Sequence, residues 1–127
     1  MYDKLQLEQL QLAKDLHVDY HKIDNPDFCW QQMSEIVNGM VHKVNVSLYA
    51  DPKWTWEQMN EIRLSLEAGF KNICDFITPE FNHRQIREIR YGYLDHVDFI
   101  RYANISFDYK EMRTLRIQMK RAKDNLG

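Results

Sequence analysis

Cysteine, proline and glycine are scarce here: two, three and four residues in a chain of 127. Two cysteines cannot staple a small secreted fold, so a disulfide scaffold is excluded. The four glycines (Gly39, Gly69, Gly92 and Gly127) stand apart from one another. A phosphate-cradling loop needs them clustered, so none is expected. No apolar run approaches the ~20 residues of a membrane-spanning helix. The start, MYDKLQLEQLQLAKDLH, has acids and glutamines where a secretory leader needs a basic start and an apolar stretch. A cytoplasmic protein with no membrane partner is expected. Charge of one sign is not in excess either, since 17 Lys and Arg face 19 Asp and Glu. With 44% hydrophobic and 13% aromatic residues, the chain is too apolar for the disordered class. Its length suits one domain, residues 1–127.

What is present is a repeat. Gln6, Gln32, Gln58, Gln85 and Glu111 recur at steps of 26 or 27 residues. One residue on stand Leu7, Met33, Met59, Ile86 and Met112, and three further on Leu10, Ile36, Ile62, Ile89 and Leu115. All three prolines, Pro26, Pro52 and Pro79, precede an aromatic residue by two positions. The units run 1–28, 29–54, 55–81, 82–107 and 108–127.

The repeated residues spell a helix start. Asp3, Cys29, Thr55, Asn82 and Asp108 take the N-cap place, and all but Cys29 are strong caps. Gln or Glu three residues later completes a capping box. The aromatic before each cap (Tyr2, Phe28, Trp54, Phe81, Phe107) and the apolar residue at N4 form a hydrophobic staple. Five helices of about 11–14 residues follow, about 20 Å each. Their apolar faces are N4, N7 and N11, as in Met59, Ile62 and Leu66. Position N10 reads Ala13, Gly39, Ser65, Gly92 and Gln118. Glycine inside a helix costs ~1 kcal/mol against alanine, so a neighbouring helix is expected to approach closely there, with a softened helix end as the alternative. The linkers, such as VNVSLYADP (44–52), fit a short second helix better than a strand, because strict alternation is lacking. The expected fold is all-α: a short helical-repeat solenoid of about five units, each a helix plus a short linker or short helix.

The segment YADPKWTWEQMNEIRLSLEAG (49–69) carries a resemblance. Tyr49, Pro52, Trp54, Gln58, Met59, Glu61, Ile62, Arg63 and Leu66 resemble a ~26-residue repeat found in arrays in phages and conjugative elements of Gram-positive gut bacteria. The fourth unit keeps Pro79, Phe81, Gln85, Ile86, Glu88, Ile89 and Arg90; the second has Val37 for the arginine, and the last lacks the proline. The resemblance implies a mobile-element origin and no enzyme activity. With the small size, that origin implies an inhibitor of a host defence protein of the anti-CRISPR kind, with a CRISPR effector nuclease as one such partner.

Residues that carry chemistry are sparse. Cys29 and Cys74 stand alone and read as cap or core residues. His17 and His21, four apart among Asp15, Asp19 and Asp24, would hold a metal only on a shared helix face. The first helix should end there, so a polar surface is the better reading. No Ser/His/Asp or Cys/His set stands out, so neither catalysis nor a cofactor is expected.

Charges and rings at fixed repeat positions are more informative. Position N8 brings Arg63, Arg90 and Arg116 into a ladder, with Arg87 and Arg113 beside it at N5. The last helix also carries Lys110, Lys120, Arg121 and Lys123. Such a surface suits an acidic protein patch or nucleic acid; the alternative is salt bridges between adjacent units. Position N1 reads Lys4, Trp30, Trp56, His83 and Tyr109. A row of rings suits a protein hot spot or base stacking, unless the rings pack over the neighbouring linker. The candidate binding residues are therefore Trp30, Trp56, Tyr109, Arg63, Arg87, Arg90, Arg113, Arg116 and Lys120. A protein-binding role is expected first and a nucleic-acid-binding role second, because the balance of charge is not basic. Homodimerisation stays open, because uncapped solenoid ends bury poorly.

Overall fold

A computed structural model describes residues 1–126. The described residues form five α-helices and no strands: α1 (Lys4–Asp15), α2 (Trp30–Val41), α3 (Trp56–Glu67), α4 (His83–Leu94) and α5 (Tyr109–Leu126). Each helix begins at the residue the capping boxes assign to N1. The first four have 12 residues and α5 has 18. Each packs chiefly on the helices next to it in sequence. None is long and apolar enough to cross a membrane.

The N-termini are built alike. Thr55 Oγ1 accepts from Gln58 N–H at 3.1 Å, while Gln58 Oε1 accepts from Thr55 N–H at 2.8 Å. Asp3 with Gln6 and Asn82 with Gln85 repeat the pattern. At Cys29, Gln32 Oε1 likewise takes the Cys29 N–H at 2.8 Å. The C-termini repeat too. Val18, Val44, Phe70 and Val97 donate their N–H back to Ala13, Gly39, Ser65 and Gly92, closing each helix. The residue that turns the chain there has positive φ: His17, Lys43, Gly69 and His96. Only one is glycine, so three units hold an L side chain in the left-handed region, which costs about 1–2 kcal/mol each.

The linkers are short 3-10 turns at Tyr20–Ile23, Val46–Leu48, Ile73–Asp75 and Phe99–Arg101. Asp19 and Asn45 start the first two by accepting from the N–H two residues on. The core is one continuous cluster. Met33, Met59, Ile86 and Met112 at N4 are fully buried, as are Ile36, Ile62 and Ile89 at N7. The turns add Ile23, Tyr49, Ile73 and Tyr102. Each such side chain stabilises the fold by about 1.5–3 kcal/mol relative to leaving it in water.

The small N10 residue has a different neighbour from the one expected. A Cβ on Gly39 would meet the Tyr49 hydroxyl at 2.0 Å and Val46 Cγ1 at 2.6 Å; one on Gly92 would meet the Tyr102 hydroxyl at 2.0 Å. The close approach comes from the unit's own turn, not from an adjacent helix. Tyr49 Oη–H donates to the Glu35 carbonyl at 2.7 Å and Tyr102 to the Glu88 carbonyl at 2.6 Å. In the third unit, Ser65 Oγ–H donates to the Glu61 carbonyl itself at 2.8 Å. Glycine therefore accompanies tyrosine ten residues later, and Ala13 accompanies Ile23 at the same spacing.

Candidate functional site

The repeat spacing places charged residues on facing sides of adjacent helices. Glutamate at N6 of one helix meets N5 and N8 of the next. Glu35 accepts from Asn60 at 3.2 Å and Arg63 at 2.9 Å. Glu61 accepts from Arg87 at 2.9 Å and Arg90 at 3.1 Å. Glu88 pairs with Arg116 at 3.0 Å and Arg113 at 3.5 Å. A second carboxylate completes two of these sets: Glu67 binds Arg63, and Asp95 binds Arg116 at 2.7 Å and Lys120 at 3.4 Å. Neighbouring carboxylates hold the Arg87 guanidinium even more firmly protonated than usual. At Arg63 and Arg116 the same attraction outweighs burial, which acts the other way.

These contacts divide the candidate cations. The N8 arginines are committed to the helix interfaces: the side chains of Arg63, Arg90 and Arg116 are only 12%, 13% and 15% exposed. A carboxylate buried at N6 requires a partner, because its desolvation is otherwise uncompensated. Arg87, Arg113 and Lys120 keep 42%, 57% and 50% exposed and remain available to a ligand. The first interface is built differently. Gln9 stands at N6 with its Oε1 buried and unpartnered among the described residues, and the N8 position of the next helix is the buried Val37.

The N1 rings border a row of hollows between successive helix N-termini. Between α2 and α3, Trp30, Gln31, Ser34, Glu35 and Trp56 line a hollow of about 360 Å³. Between α3 and α4, Trp56, Glu57, Asn60, Glu61, His83 and Arg87 line one of about 170 Å³. Between α4 and α5, Arg84, Arg87, Glu88, Tyr91, Tyr109 and Arg113 line one of about 330 Å³. The repeat thus presents equivalent N1, N5 and N6 positions three times, and their side chains grade from aromatic to cationic. Trp56 is exposed and Trp30 and Tyr109 are half-buried, whereas the staple residue Trp54 is buried in the core.

Two residues of this face were not among the candidates. Arg84 lies at N2 of α4, stacks on the Tyr109 ring with 5.1 Å to the centroid, and donates to its hydroxyl at 3.2 Å. His83, at N1, lines the middle hollow. His83 stands in the N1 row itself and Arg84 directly after it, and that position is the signal that finds them. Tyr91 is flanked by Arg90 and Arg116 at 5.0 and 5.3 Å. At the other helix ends, His17 lies beyond the end of α1 and His21 in the following turn, so the two do not share a helix face. Among the described residues no group of three or more His, Cys, Asp or Glu side chains is placed to hold a metal ion. No protein-family model matches this chain, and no curated protein or solved structure is similar to it.

Proposed function

We propose that this chain is a non-enzymatic binding protein: a short helical solenoid whose row of hollows along the helix N-termini receives a larger protein. The observation that carries the reading is the pair Trp30 and Trp56, two large rings left on either side of one hollow while the neighbouring Trp54 is fully used by the core. Tryptophan and arginine in a partly desolvated hollow are the residue types on which binding energy concentrates. The repeat supplies the rigidity, since each unit is fixed to the next by buried hydrogen bonds and ion pairs, and a rigid face loses little entropy on binding.

The resemblance to mobile-element repeats makes a host defence protein in the bacterial cytoplasm, such as a CRISPR effector nuclease, the partner to test first, with this chain as its inhibitor. A nucleic-acid partner is the second reading, supported by the arginines between α4 and α5. The apolar hollow between α2 and α3 and the Glu57 carboxylate in the middle one favour a protein.

The test is a pull-down from host lysate, with and without nuclease, using the native chain, Trp30→Ala and Trp56→Ala. A single large protein retained after nuclease, and lost with Trp56→Ala at unchanged melting temperature, supports the reading. Loss of all recovery with nuclease overturns it. The variants need a stability reference. Trp56→Ala should cost below about 1 kcal/mol, whereas Trp54→Ala in the core should cost about 3–5 kcal/mol. Equal destabilisation by both would make Trp56 a core residue and remove it from the site.

A further inference from the structure

The three ion-paired helix interfaces differ in how their charges close. At α2/α3, Arg63 is shared by two carboxylates, Glu35 and Glu67. At α3/α4, one carboxylate, Glu61, is shared by two guanidiniums. At α4/α5, Glu88 and Asp95 are shared by Arg113, Arg116 and Lys120. The pairing that holds the fold therefore leaves a negative surplus at one end and positive surpluses at the other. Arg84 adds another positive charge: it forms no ion pair among the described residues, and its contact is the Tyr109 ring and hydroxyl. Arg113 is the longer of the two guanidinium contacts to Glu88, at 3.5 Å against 3.0 Å for Arg116, so it is the one the fold can spare.

Arg84 and the two half-exposed N5 guanidiniums, Arg87 and Arg113, face one space. Arg84, Arg87 and Arg113 line the hollow of about 330 Å³ between α4 and α5, with Tyr91 and Tyr109 as its rings. Its one carboxylate, Glu88, is almost fully buried and already paired twice. We propose that this hollow is an oxyanion site that takes the carboxylates of an acidic segment of a protein partner. Planar guanidiniums, with Arg84 held over the Tyr109 ring, present forked donors, which suit carboxylate oxygens. The choice of a protein segment over a nucleic-acid strand rests on charge along the face. The adjoining middle hollow carries Glu57, and the next is lined by two tryptophans and no cation. A phosphate backbone following the row would meet the Glu57 carboxylate and then a hollow with no positive charge to hold it. A peptide can change from acidic to apolar within a few residues and match the grading. The inference rests on the protein-binding reading and adds the chemistry of what enters one end of the site.

The experiment uses the full chain and three probes: a terminally blocked hexaglutamate peptide, a six-nucleotide thymidine oligomer, and inorganic phosphate. Binding is followed at low salt by the arginine Nε–H signals in 15N-edited NMR spectra, which report the side chain directly. Hexaglutamate should shift the Arg84 and Arg113 signals. The double variant Arg84→Gln/Arg113→Gln should bind it about fivefold more weakly. A matched variant, Lys43→Gln/Lys71→Gln, removes the same charge at the opposite helix ends and should leave binding within about twofold. Tighter binding of the oligonucleotide overturns the proposal in favour of nucleic acid. Binding of phosphate but not hexaglutamate overturns it in favour of a small anion. Equal weakening by both variants overturns it in favour of net charge alone, and no binding of hexaglutamate overturns it outright. A partner retained through Trp56 but indifferent to Arg84 and Arg113 would leave the protein-binding reading standing and remove this one.

Discussion

Gln58 joins its own helix cap to the next unit by donating its Nε2–H groups to the carbonyls of Phe81 at 2.6 Å and Pro79 at 2.9 Å. Its Oε1 meanwhile takes the Thr55 N–H. Gln6, Gln32 and Gln85 do the same toward Phe28, Trp54 and Phe107. A glutamate would serve the capping box equally well, but it cannot donate. Gln58→Glu should therefore keep the helix start and turn a buried carboxylate against two carbonyl oxygens. A loss of about 2–3 kcal/mol is expected. Glu111→Gln, on the exposed last helix, should change stability by less than about 0.5 kcal/mol. Urea unfolding of both variants checks this, and a neutral Gln58→Glu would sink the account.

That carboxamide shows where sequence reading stops. The 26-residue period, the capping boxes and the staples gave all five helix starts, because those signals are local in sequence. The second task of the glutamine was not legible, because its acceptors lie 21 and 23 residues away. The same holds for Arg63 and Arg90. Their positions formed a visible ladder, but the buried glutamates that claim them sit two residues earlier on the preceding helix, and only the packed pair of helices decides which arginines stay free. Glycine at N10 was visible as a demand for space. Its cause was not, since a tyrosine ten residues away fills that space.

The claim of Glu61 on Arg87 and Arg90 can be tested as a unit. Glu61→Gln leaves two guanidiniums facing a neutral group, with Arg90 mostly buried. A loss of about 3 kcal/mol is expected. The first interface carries an uncharged pair at the same repeat positions, Gln9 at N6 and Val37 at N8. The double variant Glu61→Gln/Arg90→Val should therefore recover most of the loss. A double-mutant cycle by chemical unfolding measures the coupling. Additive losses would mean that the pair does not act together.

At Gly39 the usual sign of a substitution should reverse. Alanine in a helix interior normally gains ~1 kcal/mol over glycine. Here its methyl would meet Tyr49 Oη and Val46, so Gly39→Ala should cost about 1–3 kcal/mol. Pairing it with Tyr49→Ile, the combination that Ala13 and Ile23 make in the first unit, should recover part of that cost. A higher melting temperature for Gly39→Ala alone would contradict the close approach.

Tyr49 and Tyr102 make the alkaline limit of the fold calculable in sign. Burial pushes both phenols above the ordinary value of 10.0. Both sit at full burial with their hydroxyls donating to helix carbonyls. Each group stays protonated in the native chain at a pH where the unfolded chain has begun to lose the proton. The unfolded state then binds fewer protons, so stability falls as pH rises. The contribution is complete below pH about 10 and is lost as pH climbs from there toward the raised native values. Each tyrosine adds at most about 1.4 kcal/mol per pH unit to the slope. Urea unfolding between pH 8 and pH 11.5 should therefore show a plateau and then a decline, and Tyr49→Phe should make the decline shallower while lowering the plateau. An unchanged slope in a Tyr49→Phe/Tyr102→Phe chain would place the alkaline instability elsewhere in the molecule.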